Sequence, residues 1–247
     1  MTGPKILTID IETSPNVADV WGLFQQNVGL NQIHSVTRMI CFAAKWHNRK
    51  GVEFYSEFHD GFDEMVGHAY DLLDEADVVI GWNSKSFDVK HLNREFVKTG
   101  LTPPSPFAQI DLMHEVRRNF RMASNKLAYV ADYLGLHQKE SNEGHGLWTK
   151  CLAGDAKAWA KMRSYNINDV KATEAIYDYL RPWLKHPHIG LYTGDESVCS
   201  KCGSADLKPR GYAYTALSAF RRFRCEDCGG WSRSGKAVHH VAERGVA

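Results

Sequence analysis

Asp10 and Glu12 stand two residues apart in Lys5-Ile-Leu-Thr-Ile-Asp-Ile-Glu-Thr13, a run whose β-branched residues spell a buried strand. Side chains alternate along a strand, so both carboxylates project to one face while Leu7, Ile9 and Ile11 project to the other. Two carboxylates side by side repel one another and are costly to desolvate. Either a cation lies between them or the strand has already reached solvent, and on this stretch alone both readings stand.

Two further places can add acidic groups to the same site. Asp88 ends Gly81-Trp-Asn-Ser-Lys-Ser-Phe-Asp88, where an apolar run gives way to helical spacing. Ligands of α/β sheets gather at such carboxyl ends of strands, although an Asp in a first helical turn also complements the helix dipole. Tyr165 and Asp169 lie in Tyr165-Asn-Ile-Asn-Asp-Val170, four residues apart and therefore neighbours on one helical face. Oxygen-rich sites of this kind suit Mg²⁺ or Mn²⁺.

A separate chemistry is written in Cys199-Ser-Lys-Cys202 and Cys225-Glu-Asp-Cys228, each pair followed by a glycine, Gly203 or Gly229. Four thiolates at this spacing can complete a tetrahedral zinc site, the alternative being disulfide pairing, which a reduced compartment disfavours. Between the pairs, Phe220-Arg-Arg-Phe-Arg224 is joined by Arg210, Tyr212, Tyr214 and Trp231. Arginine for phosphate and aromatic rings for bases make a composition suited to single strands; the same aromatics can equally form a small core. Arg222 and Arg224 are taken as candidate contacts. Cys41 and Cys151 sit in apolar segments and read as packing residues.

These groups need a scaffold. Strands are expected over 5–13, 39–46, 52–58, 77–83 and 107–112, and helices over 62–75, 87–98, 113–120, 126–134 and 148–152. A long helix should start after Asp155, a good N-cap, and run towards Leu180. The pattern predicts an α/β fold: a mixed five-stranded sheet flanked by helices. The polar stretch Lys139 to Gly146 reads as a loop beside the site, with Lys139 and His145 as candidate phosphate contacts, and Trp82 as a candidate base-stacking ring. The expected division is a catalytic domain over 1–187, a linker over 188–195, a ribbon over 196–236 and a tail over 237–247.

In order and spacing, Asp10-x-Glu12, Asn83-x-x-x-Phe-Asp88 and Tyr165-x-x-x-Asp169 resemble the DEDD, or DnaQ-like, 3′–5′ exonucleases with a ribonuclease H-like fold. Tyrosine in the last motif resembles their DEDDy branch, and the helix Leu127 to Leu136 is similar to a segment these enzymes carry. The likeness covers about residues 5–185. It implies that Asp10, Glu12, Asp88 and Asp169 hold two Mg²⁺ or Mn²⁺ ions, with Asp10 bridging, and that Tyr165 orients the attacking water. It also implies that Thr13, Asn83 and Phe87 meet the substrate strand. The cysteine pairs resemble a zinc ribbon, implying one structural Zn²⁺.

Composition sets the outer bounds. The chain has 247 residues, 43% hydrophobic and 24% charged, ordinary for a globular protein. No apolar run approaches the roughly 18 residues of a membrane span, and no signal peptide is evident, so a cytoplasmic protein with reduced thiols is expected. Residues 195–247 carry nine basic and six acidic side chains, a net of +3, against 21 and 23 in residues 1–194, a net of −2. The expected function is a metal-dependent exonuclease acting on single-stranded DNA or DNA 3′ ends, similar to stand-alone bacteriophage-type enzymes. A polymerase or other replication protein is a candidate partner. The alternatives are an RNA-processing exoribonuclease and a binding module without catalysis.

Overall fold

In the computed structural model, which describes residues 3–47, 49–136, 144–185 and 187–245, the chain divides into two compact units, Lys5–Ile176 and Tyr177–Ala247, the latter joined by Met1–Pro4. Ten strands and six α-helices are present among the described residues. The division falls upstream of the expected boundary, because Tyr177 lies inside the last helix.

The larger unit is built on β1 (Ile6–Thr13). An arm leaves it, carrying the short pair β2 (Val17–Ala18) and β3 (Ile33–Ser35), which the periodicity does not announce. The arm returns to β4 (Met39–Trp46) and β5 (Glu53–Ser56). Then come α1 (Phe62–Glu75), β6 (Val78–Gly81), α2 (Asp88–Lys98), β7 (Ala108–Asp111) and α3 (Leu112–Asn119). Last are α4 (Leu127–Tyr133), α5 (His145–Leu152) and α6 (Ala156–Leu180). The helix expected to begin at Trp148 starts three residues earlier, at His145.

The five long strands form one sheet in the order β5-β4-β1-β6-β7. β1 is central, antiparallel to β4 and parallel to β6, and β6 is parallel to β7. This is the mixed, helix-flanked sheet that the strand and helix pattern predicts, and it agrees with the ribonuclease H-like fold that the motif resemblance implies. Leu7, Ile9 and Ile11 pack on one face with Met65, Val66, Leu73, Leu92 and Phe96 of α1 and α2. The opposite face carries Ile40 and Cys41 against Leu147, Cys151, Trp159 and Met162 of α5 and α6. Helices on both faces explain why β4 reads as an apolar run from Met39 to Ala44 rather than an alternation. Each fully buried aliphatic side chain contributes about 1.5–3 kcal/mol here.

Helix α6 begins as its sequence dictates. Asp155 Oδ1 accepts from the backbone N–H of Lys157 (2.8 Å) and Ala158 (3.2 Å), filling two donors that a helix start leaves open. Four residues on, Trp159 is fully buried, its indole N–H donating to Cys151 O at 2.9 Å and its ring stacked on Phe58. Cap and anchor together set the rotation of the helix, and hence which of its residues meet the sheet.

The smaller unit contains β8 (Leu207–Tyr214), β9 (Ser218–Cys225) and β10 (Trp231–His240), an antiparallel sheet in the order β10-β9-β8. β10 runs past residue 237, so the expected tail begins inside a strand. The stretch read as a linker contains a 3₁₀ turn, Ile189–Tyr192, with Ile189 and Gly190 buried.

Candidate active site and metal centre

β1 sends Asp10 and Glu12 to the face covered by α5 and α6, and α6 sends Asp169 back. One carboxylate oxygen from each of the three lies within 4.8 Å of the others. Two separate signals in the sequence, the Asp10–Glu12 pair and Asp169, thus meet at one point through a strand–helix contact. The Tyr165 hydroxyl donates to Asp169, one helical turn away. Its ring meets Trp148 edge to face, with centroids 6.0 Å apart.

Asp88 is buried at the first turn of α2 and falls outside the 4.8 Å trio. Its Oδ1 accepts the backbone N–H of Ile11 at 3.1 Å, which ties this helix start to the strand residue between Asp10 and Glu12. Its charge nonetheless reaches both neighbours. The loop that delivers it turns at Asn83, whose φ of 63° lies in the left-handed region that Asn tolerates better than most residues. Buried Asp111 holds that loop, accepting from the backbone N–H of Asn83 and of Lys85 at 3.1 Å each.

The electrostatics follow from this crowding. Burial, then the charges of Asp88, Glu12 and Asp169, hold the Asp10 carboxyl well above the carboxylate range, opposed by a hydrogen bond from Asn166. Burial and the charges of Asp169 and Asp88 push Glu12 up to about 8, and an indole N–H from Trp148 works against that rise. Asp88 is pushed up to about 7, mainly by burial, with the Ile11 N–H opposing. Tyr165 is raised by burial first and then by the neighbouring carboxylates, so it is a hydrogen-bonding group at neutral pH and no base. Negative charges this close ionise together when a multivalent cation offsets them, and the all-oxygen donor set fits Mg²⁺ or Mn²⁺.

Two neighbours of the trio escaped the reading of the sequence. Asn166, fully buried, donates through Nδ2 to Asp10 Oδ2 at 2.6 Å and to Asp10 O at 3.2 Å, fixing that carboxylate in place. Its signal was a polar residue beside Tyr165 at a position where the helix faces the core. Trp148, on α5, touches both Glu12 and Tyr165; no spacing rule links residue 148 to residue 12.

The candidate substrate contacts are scattered more widely. Thr13 and His145 line one cavity of about 320 Å³, together with Pro15 and Trp148. Phe87 is 38% exposed, with its ring against His91. Trp82 is half-buried, its indole N–H donating to Asn125 O at 3.1 Å. Lys139 lies outside the described residues.

In the smaller unit, one sulfur from each of Cys199, Cys202, Cys225 and Cys228 falls within the same 4.8 Å limit. The Sγ atoms of Cys199 and Cys228 are 3.6 Å apart and those of Cys202 and Cys225 3.7 Å apart. A tetrahedron with metal–sulfur bonds of about 2.3 Å has sulfur–sulfur edges of about 3.8 Å, whereas a disulfide needs about 2.05 Å. Gly203 and Gly229 have φ of 78° and 73°. They turn their N–H groups back to Cys199 O and Cys225 O, at 2.9 and 3.0 Å, which explains a glycine after each pair. The backbone N–H groups of Lys201 and Gly230 point at Cys199 Sγ and Cys228 Sγ, each at 3.4 Å, where they stabilise thiolate charge. Burial pushes the Cys228 thiol up to about 11 and Cys202 higher still, while at Cys225 hydrogen bonds outweigh burial and lower the thiol, so a bound cation would favour the ionised form of Cys202 and Cys228.

Protein NEN3 of Arabidopsis thaliana is 34% identical over 77 residues, which cover 30% of this chain and 15% of that protein. The family B DNA polymerase of the hyperthermophilic archaeon Pyrobaculum calidifontis shares the fold, with a TM-score of 0.56 and 18% identity over 77% of this chain and 26% of the polymerase. A family model described as the RNase_H superfamily matches residues 28–181, a span that holds Asp88, Tyr165 and Asp169 and stops short of β1. The chain belongs to the RNase_H superfamily.

Proposed function

We propose that the protein is a 3′–5′ exonuclease that hydrolyses terminal phosphodiester bonds of DNA single strands or frayed ends and releases nucleoside monophosphates. The observation that carries this reading is the convergence of Asp10, Glu12 and Asp169 within 4.8 Å, with the Tyr165 hydroxyl donating to one of them. Asp10, Glu12, Asp88 and Asp169 would hold two divalent ions, which lower the pKa of water and offset charge at the phosphate when bound. The protein's own part is positional. Asn166 fixes Asp10, Trp148 fixes Glu12, and Tyr165 offers a hydroxyl that can orient a water for in-line attack. Thr13, His145 and the cavity they share are the proposed seat of the 3′-terminal nucleoside, with Asn83 and Phe87 along the strand. The family B DNA polymerase among the fold neighbours favours DNA as the substrate. The cysteine cluster is proposed to hold one structural Zn²⁺, and the ribbon to assist strand binding.

The test is digestion of 5′-labelled DNA and RNA oligomers of one sequence in Mg²⁺ and in Mn²⁺. A ladder shortening from the 3′ end, DNA ahead of RNA, is expected for the wild type and is abolished in Asp10→Ala. Activity that survives in Asp10→Ala or in a metal-free buffer overturns the assignment. Strand binding without cleavage in either metal points to a binding module instead.

A further inference from the structure

The ribbon unit contains a cavity of about 560 Å³ that none of the catalytic residues touch. Arg222, Arg233, Lys185 and Lys201 line it, with His188 and Trp231, and among the described residues the lining includes no Asp or Glu. This volume is that of a small-ligand site, and four cations around a concave wall focus positive potential into it. The register concentrates the charge further. Arg233 on β10 lies directly opposite Arg222 on β9, and Trp231 opposite Arg224; Lys208 on β8, also opposite Arg224, is already paired with Asp206 at 3.2 Å. Like charges directly across a strand pair destabilise a sheet, and a polyanion on this face would remove that repulsion.

The arginines are held in place. Arg222 donates through Nε to Arg210 O at 3.0 Å, and its guanidinium lies 4.7 Å from the centroid of the Trp231 ring. The Arg233 guanidinium sits 3.7 Å from the Phe220 centroid. Lys201 Nζ donates to Leu184 O. Trp231 remains 47% exposed, leaving ring surface on which a base can stack. Residues two apart on a strand are about 6.8 Å apart, so Arg222 and Arg224 continue the cationic track along an extended chain of phosphates.

We infer that this cavity is a strand-holding subsite for single-stranded nucleic acid, taking phosphates on Arg222, Arg233 and Lys201 and a base on Trp231. The inference rests on the nuclease reading for the class of ligand, and not on the carboxylate centre for its geometry. It also separates two uses of the ribbon's aromatics, since Trp231 faces the cavity while Tyr212 is engaged by Arg221 on a different row.

The experiment uses the full chain carrying Asp10→Asn, loaded with one zinc, and a 5′-fluorescein-labelled fifteen-nucleotide thymidine oligomer followed by anisotropy. Arg222→Gln with Arg233→Gln is expected to weaken binding at least tenfold and to lower the slope of log affinity against log salt by about 1.4, two contacts at about 0.7 each. Trp231→Ala should cost about tenfold with the salt slope unchanged, and Trp231→Phe should restore most of that loss. Zinc content and the thermal transition of each variant report folding. Unchanged affinity in correctly folded, zinc-loaded variants overturns the subsite. So does displacement of the oligomer by inorganic phosphate at an equal phosphate concentration, which would make the cavity a simple anion site. Failure of the wild type to cleave any oligomer would defeat the nuclease reading and leave the binding result standing.

Discussion

Replacing Glu12 with glutamine should stabilise the protein when Mg²⁺ and Mn²⁺ are absent, although it removes a proposed ligand. Glu12 shares its pocket with Asp10 and Asp169, and its carboxyl rises from an ordinary 4.5 to about 8, chiefly through burial and the Asp169 charge. Below about pH 4.5 the group is protonated in folded and unfolded chains alike, and glutamine changes little. Between 4.5 and 8 the unfolded chain gives up a proton that the folded protein retains, so stability falls as pH rises through this window. The full displacement corresponds to at most about 5 kcal/mol. Glu12 is only half-buried, and water at its carboxylate reduces the expected gain for Glu12→Gln to about 1–3 kcal/mol at pH 8. For a chain of this size that raises the melting temperature by about 3–10 °C. The assay is thermal denaturation at pH 4.5, 6 and 8 of protein holding one zinc and dialysed free of other divalent ions. The two proteins should melt together at pH 4.5 and separate as pH rises, and added Mn²⁺ should stabilise only the wild type. Equal melting at pH 8, or a destabilised variant, would refute the crowded-carboxylate account and return β1 to the status of a solvated strand end.

Four other outcomes follow from the same geometry. Tyr165→Phe keeps the contact with Trp148 and loses the hydroxyl, so kcat should fall about 10- to 10³-fold with melting temperature and Mn²⁺ affinity unchanged; a large loss of Mn²⁺ binding would show a different role. Asn166→Ala removes the amide that fixes Asp10 and should weaken Mn²⁺ binding about tenfold by calorimetry; unchanged affinity would show that Asp10 is held by other contacts. Trp159→Ala empties the site that seats α6 and should cost about 3–5 kcal/mol in denaturant unfolding; a loss below about 1 kcal/mol would mean the helix is held elsewhere. Cys199→Ser should take zinc from one per chain to none by elemental analysis and unfold the ribbon, with Asp10, Glu12 and Asp169 still binding Mn²⁺.

Much of the scaffold was legible because local chemistry and tertiary placement agree. The apolar run of β4, the helical spacing from Phe62 to Glu75 and the Asp155 cap all code for structure within a few residues of themselves. The glycine after each cysteine pair is equally local, since a left-handed turn is required there whatever surrounds it. The arm carrying β2 and β3 was not legible. Its strands are two and three residues long, too short to show a period. The start of α5 was missed because His145 and Gly146 carry no apolar face.

The chemical inventory is written in the linear order of residues: four carboxylates and a tyrosine in a telling order, four cysteines in two pairs, and the elements on which they ride. Alternation along β1 is a local property, so the shared face of Asp10 and Glu12 could be read directly. What that face meets depends on packing between distant elements. The seating of α6 by Trp159 brings Asp169 to within 4.8 Å of β1 and places Asn166 on Asp10. The packing of α5 lays Trp148 on Glu12, and the register of β9 with β10 sets Arg222 beside Arg233. These are contacts between elements far apart in the chain, fixed by how apolar faces interlock, and no window of neighbouring residues encodes them.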